Sequence, residues 1–356
     1  MLCFGCDQGT PALEDSVGPP LRLVASYPEA GEGVDCVSSA DPACGVPTNG
    51  PLELRFDRQL LHSTAVRQSL AVYSGEPQSP VFLRPDYDAV ERVLRYYPSE
   101  PLQPNTLYTV QLPQPTTGAP FGFRAFDGAP LGEGPVPLRF SFYTAAESVG
   151  PEPTCEPTCD DIVRRFQASG CARLGCHNSE PEPDACGAGA ALDHNQECVG
   201  VPRMGLDLAS VPGLRRSAIS RVAHQAEVGA QGGVPLVNPA RMGVQMPLVD
   251  PGRPGNSYLL FKTLLRTANF NLPPDEQLTP DERARRAACT PVYRSRLPEG
   301  ETRAPSEEER TRLRNWFVRG EGMPLLPRDG DPERSPLTLD ALHEIQRWIA
   351  LGARCP

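Results

Sequence analysis

The hydrophobic pattern of this 356-residue chain changes its period once, at a proline-rich stretch near residue 150. Before that stretch, apolar and polar residues alternate, as in the segments that begin at Leu21 and Leu52, and such alternation is typical of half-buried strands. After it, apolar residues recur at helical spacing, as from Leu339 to Ile349. We therefore predict a multidomain chain, with an all-β domain over 18–145 and a mainly α-helical domain over 159–356.

Residues 146–158 join the two predicted domains. They are polar and rich in proline, a composition that is typical of a linker. Beyond it, Ser306 and Glu309 have the spacing of a capping box at the start of a helix. Glycines at 320 and 352 follow the last two predicted helices and are typical stop signals.

The N-terminal part contains at least six short apolar segments separated by Pro- and Gly-rich turns, which indicates a β-sandwich. Four of its motifs, at Tyr27-Pro28, Leu54–Leu60, Leu102–Val110 and Phe140–Thr144, occur in the order typical of one family. The segment resembles the bacterial Ig-like domain of surface-layer proteins. That resemblance implies an Ig-like sandwich without catalytic residues, in which the hydroxyl of Tyr108 ties a loop to a strand.

Twelve cysteines point to an exported protein, because a cytosolic chain rarely carries so many unless they bind metal. Cys36 and Cys44 flank an insertion and are predicted to close it as a small disulfide loop. The start resembles the end of a bacterial lipoprotein signal, which makes residues 1–17 a signal remnant and tether with Cys6 as the lipidation site. The alternative is an ordinary N-terminus with two unrelated thiols.

Composition excludes two other kinds of interaction. The formal net charge of −10 argues against nucleic acid as a partner. No run of 18 or more apolar residues occurs, so a lipid anchor would be the only membrane attachment.

The strongest chemical signal is the motif C-x4-C-H formed by Cys171, Cys176 and His177. A c-type haem needs two thiols to bond its vinyl groups and a histidine directly after the second thiol to bind the iron, usually at the spacing C-x-x-C-H. The four-residue spacer is a rarer variant. Two thiols this close also form a disulfide readily, and the cysteine count fits either state.

The order of motifs around this pair resembles the cytochrome c-like domain of large secreted bacterial proteins. The matching motifs are Gly205–Leu208, Pro254–Leu259, Met323-Pro324 and Ile345–Ala353. The resemblance implies that the terminal helix packs against the first one and that Met323 is the second axial ligand. Met246, also followed by proline, is a rival ligand, and the alternative for either methionine is a side chain that only fills the core.

These features predict an exported, lipid-tethered protein of the cell envelope, periplasmic or on the cell surface. It would carry one covalent haem c and pass single electrons to a redox partner that the sequence does not identify. The Ig-like domain would hold the haem domain away from the membrane. Iron with both axial ligands supplied by protein leaves no position for a substrate, so we do not expect an enzyme. The alternative is a haem-free, disulfide-stapled surface lipoprotein that acts as a binding or adhesion module.

Overall fold

The computed structural model describes most of the N-terminal half of the chain and separate stretches of the C-terminal half. The described residues are 18–39, 41–75, 79–115, 122–146, 155–172, 177–179, 205–221, 223, 246–266, 280, 284, 297, 305–316, 318, 322–323 and 337–356.

Among the described residues, nine strands, all in the N-terminal half, form two sheets. Their bounds are β1 Leu21–Tyr27, β2 Leu52–Phe56, β3 Ala71–Ser74, β4 Ser79–Pro80, β5 Leu83–Asp88, β6 Val93–Pro98, β7 Leu107–Gln111, β8 Leu131–Gly132 and β9 Arg139–Tyr143. One sheet has the order β5-β6-β2-β1-β8 and the other the order β4-β3-β7-β9. All pairs are antiparallel except β1 with β8. The prediction of a β-rich N-terminal domain is confirmed.

The alternation that predicts these strands holds with one interruption. Leu21 and Leu23 are fully buried on β1, but the pairing of β1 with β2 shifts between Leu23 and Ala25, which indicates a β-bulge. At the bulge Ser26 is buried and Ala25 is only half-buried, so the simple alternation is broken there.

The insertion between β1 and β2 covers the outer edge of β9. Cys36 and Cys44 form the predicted disulfide, with their Cα atoms 5.5 Å apart. Backbone bonds from Gly31 to Ser141 and from Val46 to Tyr143 attach both ends of the insertion to β9. These bonds occupy backbone groups at the edge of β9 that could otherwise pair with another chain.

Five α-helices with defined bounds lie in the described parts of the C-terminal half, besides a 3-10 helix at Pro254–Asn256. They are α1 Cys159–Ala168, α2 Val211–Ser217, α3 Tyr258–Leu264, α4 Glu307–Trp316 and α5 Leu339–Ala350. α1 begins at a capping box of Thr158 and Asp161 that the sequence reading missed, whereas the predicted box of Ser306 and Glu309 is present at α4. Within the parts of the chain described here, no helix combines the length and apolar character needed to cross a bilayer.

The first and last helices are in contact, as expected from the resemblance. A disulfide joins Cys159 at the start of α1 to Cys355 beyond the end of α5. Arg165 of α1 also forms an ion pair with Glu344 of α5, at 2.5 Å. Trp348 and Ile349 on the apolar stripe of α5 are buried. Packing and a covalent link therefore both hold the two ends of the helical region together.

The β domain is docked directly onto the helices through the β5–β6 hairpin. The Gln346 side chain of α5 donates to the Tyr87 carbonyl oxygen at 3.1 Å and accepts from the Ala89 backbone N–H at 3.3 Å. Gly255 lies so close to Tyr87 that an added Cβ would be 2.4 Å from its ring, which explains why this position needs glycine. The buried apolar residues of both halves accordingly form one continuous cluster.

Candidate functional site

The predicted haem-attachment motif begins directly after α1. Gly170, at φ +75°, reverses the chain there in a conformation that favours glycine, and Cys171 follows with its side chain buried. The Ser169 hydroxyl donates to the Cys171 sulfur at 3.2 Å, and the Ala172 backbone N–H donates to the Phe166 carbonyl at 3.2 Å. The C-terminal end of α1 therefore places this sulfur within the packed interior of the helical region.

His177 is held by two parts of the chain. Its backbone N–H donates to the Cys171 carbonyl oxygen at 3.1 Å, and its own carbonyl accepts from the Leu208 N–H at 2.8 Å. Its ring Nδ1 lies 3.2 Å from the Leu206 carbonyl oxygen, which can only accept a hydrogen bond. The proton of the neutral imidazole is therefore on Nδ1 and the lone pair on Nε2, which is the form that binds metals.

The segment Gly205–Leu208 acts as a support for this histidine. Leu206 and Leu208 are buried, and between them the Asp207 carboxylate accepts from the Ala209 N–H at 2.9 Å and from the Ser179 hydroxyl. Any Cβ at Gly213 in α2 would lie 2.2 Å from an Asp207 carboxylate oxygen. Close packing on α2 thus fixes the segment whose carbonyl orients the His177 ring.

The two predicted methionine ligands lie at different ends of α3. Met246 is buried, and its carbonyl oxygen accepts from the Ala223 N–H at 3.2 Å. The carbonyl oxygen of the next residue, Pro247, accepts from the N–H of Tyr258, the first residue of α3. Met323 is half-buried, and its N–H donates to the Lys262 carbonyl at 2.9 Å near the other end of the helix. The choice between them therefore stays a prediction.

Two predicted site residues, Cys176 and the lipidation residue Cys6, lie outside the described residues. Within the described stretches, no group of three or more His, Cys, Asp or Glu side chains is arranged to hold a metal ion. The indole Nε1 of Trp348 in α5 is buried and finds no hydrogen-bond partner among these stretches.

The sequence reading missed a buried group of charges where the β domain meets α5. Glu91 lies between Arg55, at 3.1 Å, and Nε2 of His343, at 3.4 Å, and all three side chains are at most 2% exposed. Nearby, Arg95 pairs with Asp88 at 3.0 Å and with Glu53 at 3.5 Å. The only signal in the sequence was a set of charged residues at outward positions of β2 and β6, a pattern that normally indicates solvent.

Burial also changes two ionisable groups near this junction. It raises the pKa of the Asp86 carboxyl above its ordinary value, against the opposing effect of Arg95. It lowers the pKa of the His62 imidazole, and the positive charge of Arg253 lowers it further while Asp250 opposes the change. His62 packs against Gly255 and therefore belongs to the same junction.

One point predicted from the Ig-like resemblance is confirmed within the β domain. The Tyr108 hydroxyl accepts a hydrogen bond from the Gln103 backbone N–H at 2.9 Å, so it ties the loop before β7 to that strand.

Solved structures that resemble this chain are similar to only part of it. No family model matches the sequence, and no curated protein matches it. The N-terminal part of the bacterial S-layer protein SbsC aligns over 36% of this chain at 9% identity and a TM-score of 0.24. This chain covers 24% of that structure, about a quarter of its length. The copper resistance protein PcoC from Escherichia coli aligns over 35% of this chain and 99% of its own, at 17% identity and a TM-score of 0.25. Likeness at this level establishes neither ancestry nor activity.

Proposed function

We propose that this chain is an exported c-type cytochrome-like protein that carries one covalent haem for electron transfer. Cys171 and Cys176 would bond the haem, and His177 would bind its iron. The observation that carries this proposal is the hydrogen bond between His177 Nδ1 and the Leu206 carbonyl oxygen, because histidines that bind metals are commonly oriented in this way.

The described residues around His177 fit such a group. Cys171 is buried, and so are Phe166, Leu206 and Leu208 in the segments that precede Cys171 and support His177, while His177 itself is half-buried. A bound haem c would supply a one-electron iron couple, whose reduction potential rises when the second axial ligand is methionine. The role of the protein chain is to orient the His177 imidazole, to hold its proton on Nδ1 and to keep the surroundings apolar.

For the second axial ligand we propose Met323, on the motif order of the cytochrome c-like family, with Met246 as the rival. Replacing the true ligand by alanine should alter the spectrum of the reduced protein and lower its potential. If Met246→Ala has this effect and Met323→Ala does not, the assignment to Met323 is wrong.

A location in the cell envelope, periplasmic or on the surface, is part of the proposal. The disulfides Cys36–Cys44 and Cys159–Cys355 support it, because such bonds persist in oxidising compartments. The two-sheet architecture and the Tyr108 hydrogen bond support an Ig-like domain, and the sequence around Cys6 supports a lipid anchor.

The second candidate is a haem-free binding module stapled by disulfides. It is favoured by the cross-link from Cys159 to Cys355 together with the docking of α5 on the β domain, because both hold the helices in place without a cofactor. Either candidate is a carrier or binding protein rather than a catalyst.

The two candidates are separated by producing the full chain, exported, in cells with a working haem-ligation system. We expect a Soret absorbance band and haem staining that survives denaturing electrophoresis, both lost in Cys171→Ala. A Cys36→Ser/Cys44→Ser variant is the matched control, since it removes two sulfurs but no proposed haem contact. Native protein without bound haem under these conditions would contradict the first candidate and favour the second.

A further inference from the structure

The β domain has a groove of about 570 Å³ on the side where β4 faces the chain that follows β6. One wall is the segment from Ser79 to Phe82, and the other is the segment from Ser99 to Gln103. The volume lies within the range of about 300–1,000 Å³ that is typical of small-molecule sites.

Hydrogen bonds hold both walls in place. The Ser99 N–H donates to the Phe82 carbonyl at 2.9 Å, which links the walls to each other. The Leu102 N–H donates to the Thr48 carbonyl at 2.8 Å, and the Gln103 N–H donates to the Tyr108 hydroxyl. A groove built in this way needs little ordering when it binds a ligand, which favours affinity.

The lining combines one exposed aromatic ring with several polar groups, of which one is charged. Phe82 is 56% exposed, an unusual position for so large an apolar side chain. Around it lie the hydroxyls of Ser79 and Ser99, the amide of Gln103 and one carboxylate, Glu100. None of the described residues that line the groove is a lysine or arginine, so none of them would pair with an anionic ligand.

The geometry does not favour a peptide that adds a strand to the sheet. The strand at this edge, β4, is only two residues long. One of them is Pro80, which has no N–H to donate. A ligand recognised through its own hydroxyl groups and one apolar face suits the lining better than an extended backbone does.

We propose that this groove binds a neutral oligosaccharide, with one face of a pyranose ring stacked on Phe82 and its hydroxyls bonded to Ser79, Ser99, Glu100 and Gln103. The stacked ring would bury the exposed apolar surface, and the polar rim would replace the sugar's bonds to water. This proposal does not depend on haem, because every residue of the groove belongs to the β domain.

The test is isothermal titration calorimetry of the full chain with cellohexaose, maltohexaose, mannohexaose and chitohexaose, and with a pectin-derived oligogalacturonate as the anionic probe. We expect at least one neutral probe to bind, and Phe82→Ala to weaken it by about tenfold, as for loss of a stacked aromatic contact. Gln103→Ala should weaken it less, since it removes one hydrogen bond. Val37→Ala is the matched control, because Val37 is 60% exposed and outside the groove.

Three results would overturn the proposal. They are an absence of binding by all four neutral probes, tighter binding of the anionic probe, and binding that Phe82→Ala leaves unchanged. Capture of an extended peptide from a random library, lost in Phe82→Ala, with no saccharide bound, would also reject the saccharide class in favour of a peptide.

Discussion

The two sheets of the β domain have similar cores but opposite outer faces. On the four-stranded sheet, outward residues such as Leu107, Gln111 and Arg139 are exposed. On the five-stranded sheet, the outward residues Glu53 and Arg55 are at most 2% exposed. There Arg55 pairs with Glu91, which also contacts His343 of α5, and Glu53 pairs with Arg95 of β6. Alternation along a strand therefore tells which side chains leave the core, but not whether they then meet water or another part of the chain.

The difference in exposure between the two outer faces also explains which polar and charged side chains are paired. The exposed sheet needs no pairing for its polar groups, and there Thr109 and Ser141 simply bond each other across strands at 3.1 Å. The covered sheet pairs Arg55 with Glu91 and Arg95 with Asp88, since a buried charge without a partner is costly. Covering a charged face thus makes the β domain dependent on the helices.

The most severe change to the covered face is Glu91→Gln, which leaves the Arg55 guanidinium buried without its carboxylate. Breaking a buried ion pair from one side costs about 3–5 kcal/mol, so we expect the free energy of unfolding to fall by that amount. Urea unfolding of the full chain measures it.

The control for Glu91→Gln is Glu307→Gln, which removes the partner of Arg314 from a largely exposed ion pair. Its effect should stay within about 1 kcal/mol. If the two variants lose equal stability, the contrast between covered and exposed charges is not real.

The disulfides allow a second comparison between the halves of the molecule. Cys159–Cys355 closes a sequence separation of 196 residues, against 8 for Cys36–Cys44. Longer loops lose more chain entropy on closure. The free energy of unfolding should therefore fall by about 2–4 kcal/mol in Cys159→Ser/Cys355→Ser and by distinctly less in Cys36→Ser/Cys44→Ser. Thermal unfolding of both variants checks the order, and the reverse order would contradict it.

A smaller effect is expected from Gln346→Leu in α5. It removes the side chain that bonds the Tyr87 carbonyl and the Ala89 N–H, and unsatisfied buried backbone groups cost about 1–3 kcal/mol. Gln111→Leu on the exposed sheet is the matched control, with an expected change within about 0.5 kcal/mol. Equal losses in urea unfolding would show that the hairpin is not held by α5.

The smallest effect is expected from the protonation of His62, at the junction between the β domain and the helices. Burial and Arg253 lower the pKa of His62, so the folded state resists protonating this group while the unfolded state accepts the proton. The stability that depends on neutral His62 is present above its unfolded pKa of about 6.5 and is lost as the pH falls.

We therefore expect the free energy of unfolding to decrease from about pH 7.5 to about pH 5.5, on either side of that value. His62→Gln should flatten this decrease, because glutamine does not titrate in this range. Parallel unfolding curves at both pH values measure the difference, and an unchanged slope in the variant would refute the role of His62.

The interior of the β domain was the most predictable part of the fold. The alternating residues of β1, β2 and β9 face the core, and the Cys36–Cys44 disulfide follows from a local signal. The hydrogen bond of the Tyr108 hydroxyl was expected from the Ig-like resemblance. The bulge near Ala25 and the covering of Arg55 were not predictable. Both depend on contacts between residues far apart in the chain, which one sequence without its fold does not reveal.

The candidate site was predictable only in its residue types. The sequence indicates Cys171 and His177 as a pair, but the carbonyl that orients the ring comes from Leu206, after a long intervening segment. The sequence indicates Gly205–Leu208 as a family motif. It does not reveal the physical role of this segment, which is to support His177. No local signal relates Met246 or Met323 to His177, so the second ligand depends on the family resemblance alone.

The most direct measurement of the central claim is the intact mass of the exported full chain after denaturation, made in cells that attach haem. We expect one haem group per chain, with the modified peptide containing Cys171 and Cys176, and no modification in Cys171→Ala/Cys176→Ala. An unmodified mass, with the sulfurs of Cys171 and Cys176 bonded to each other, would contradict the electron-carrier proposal.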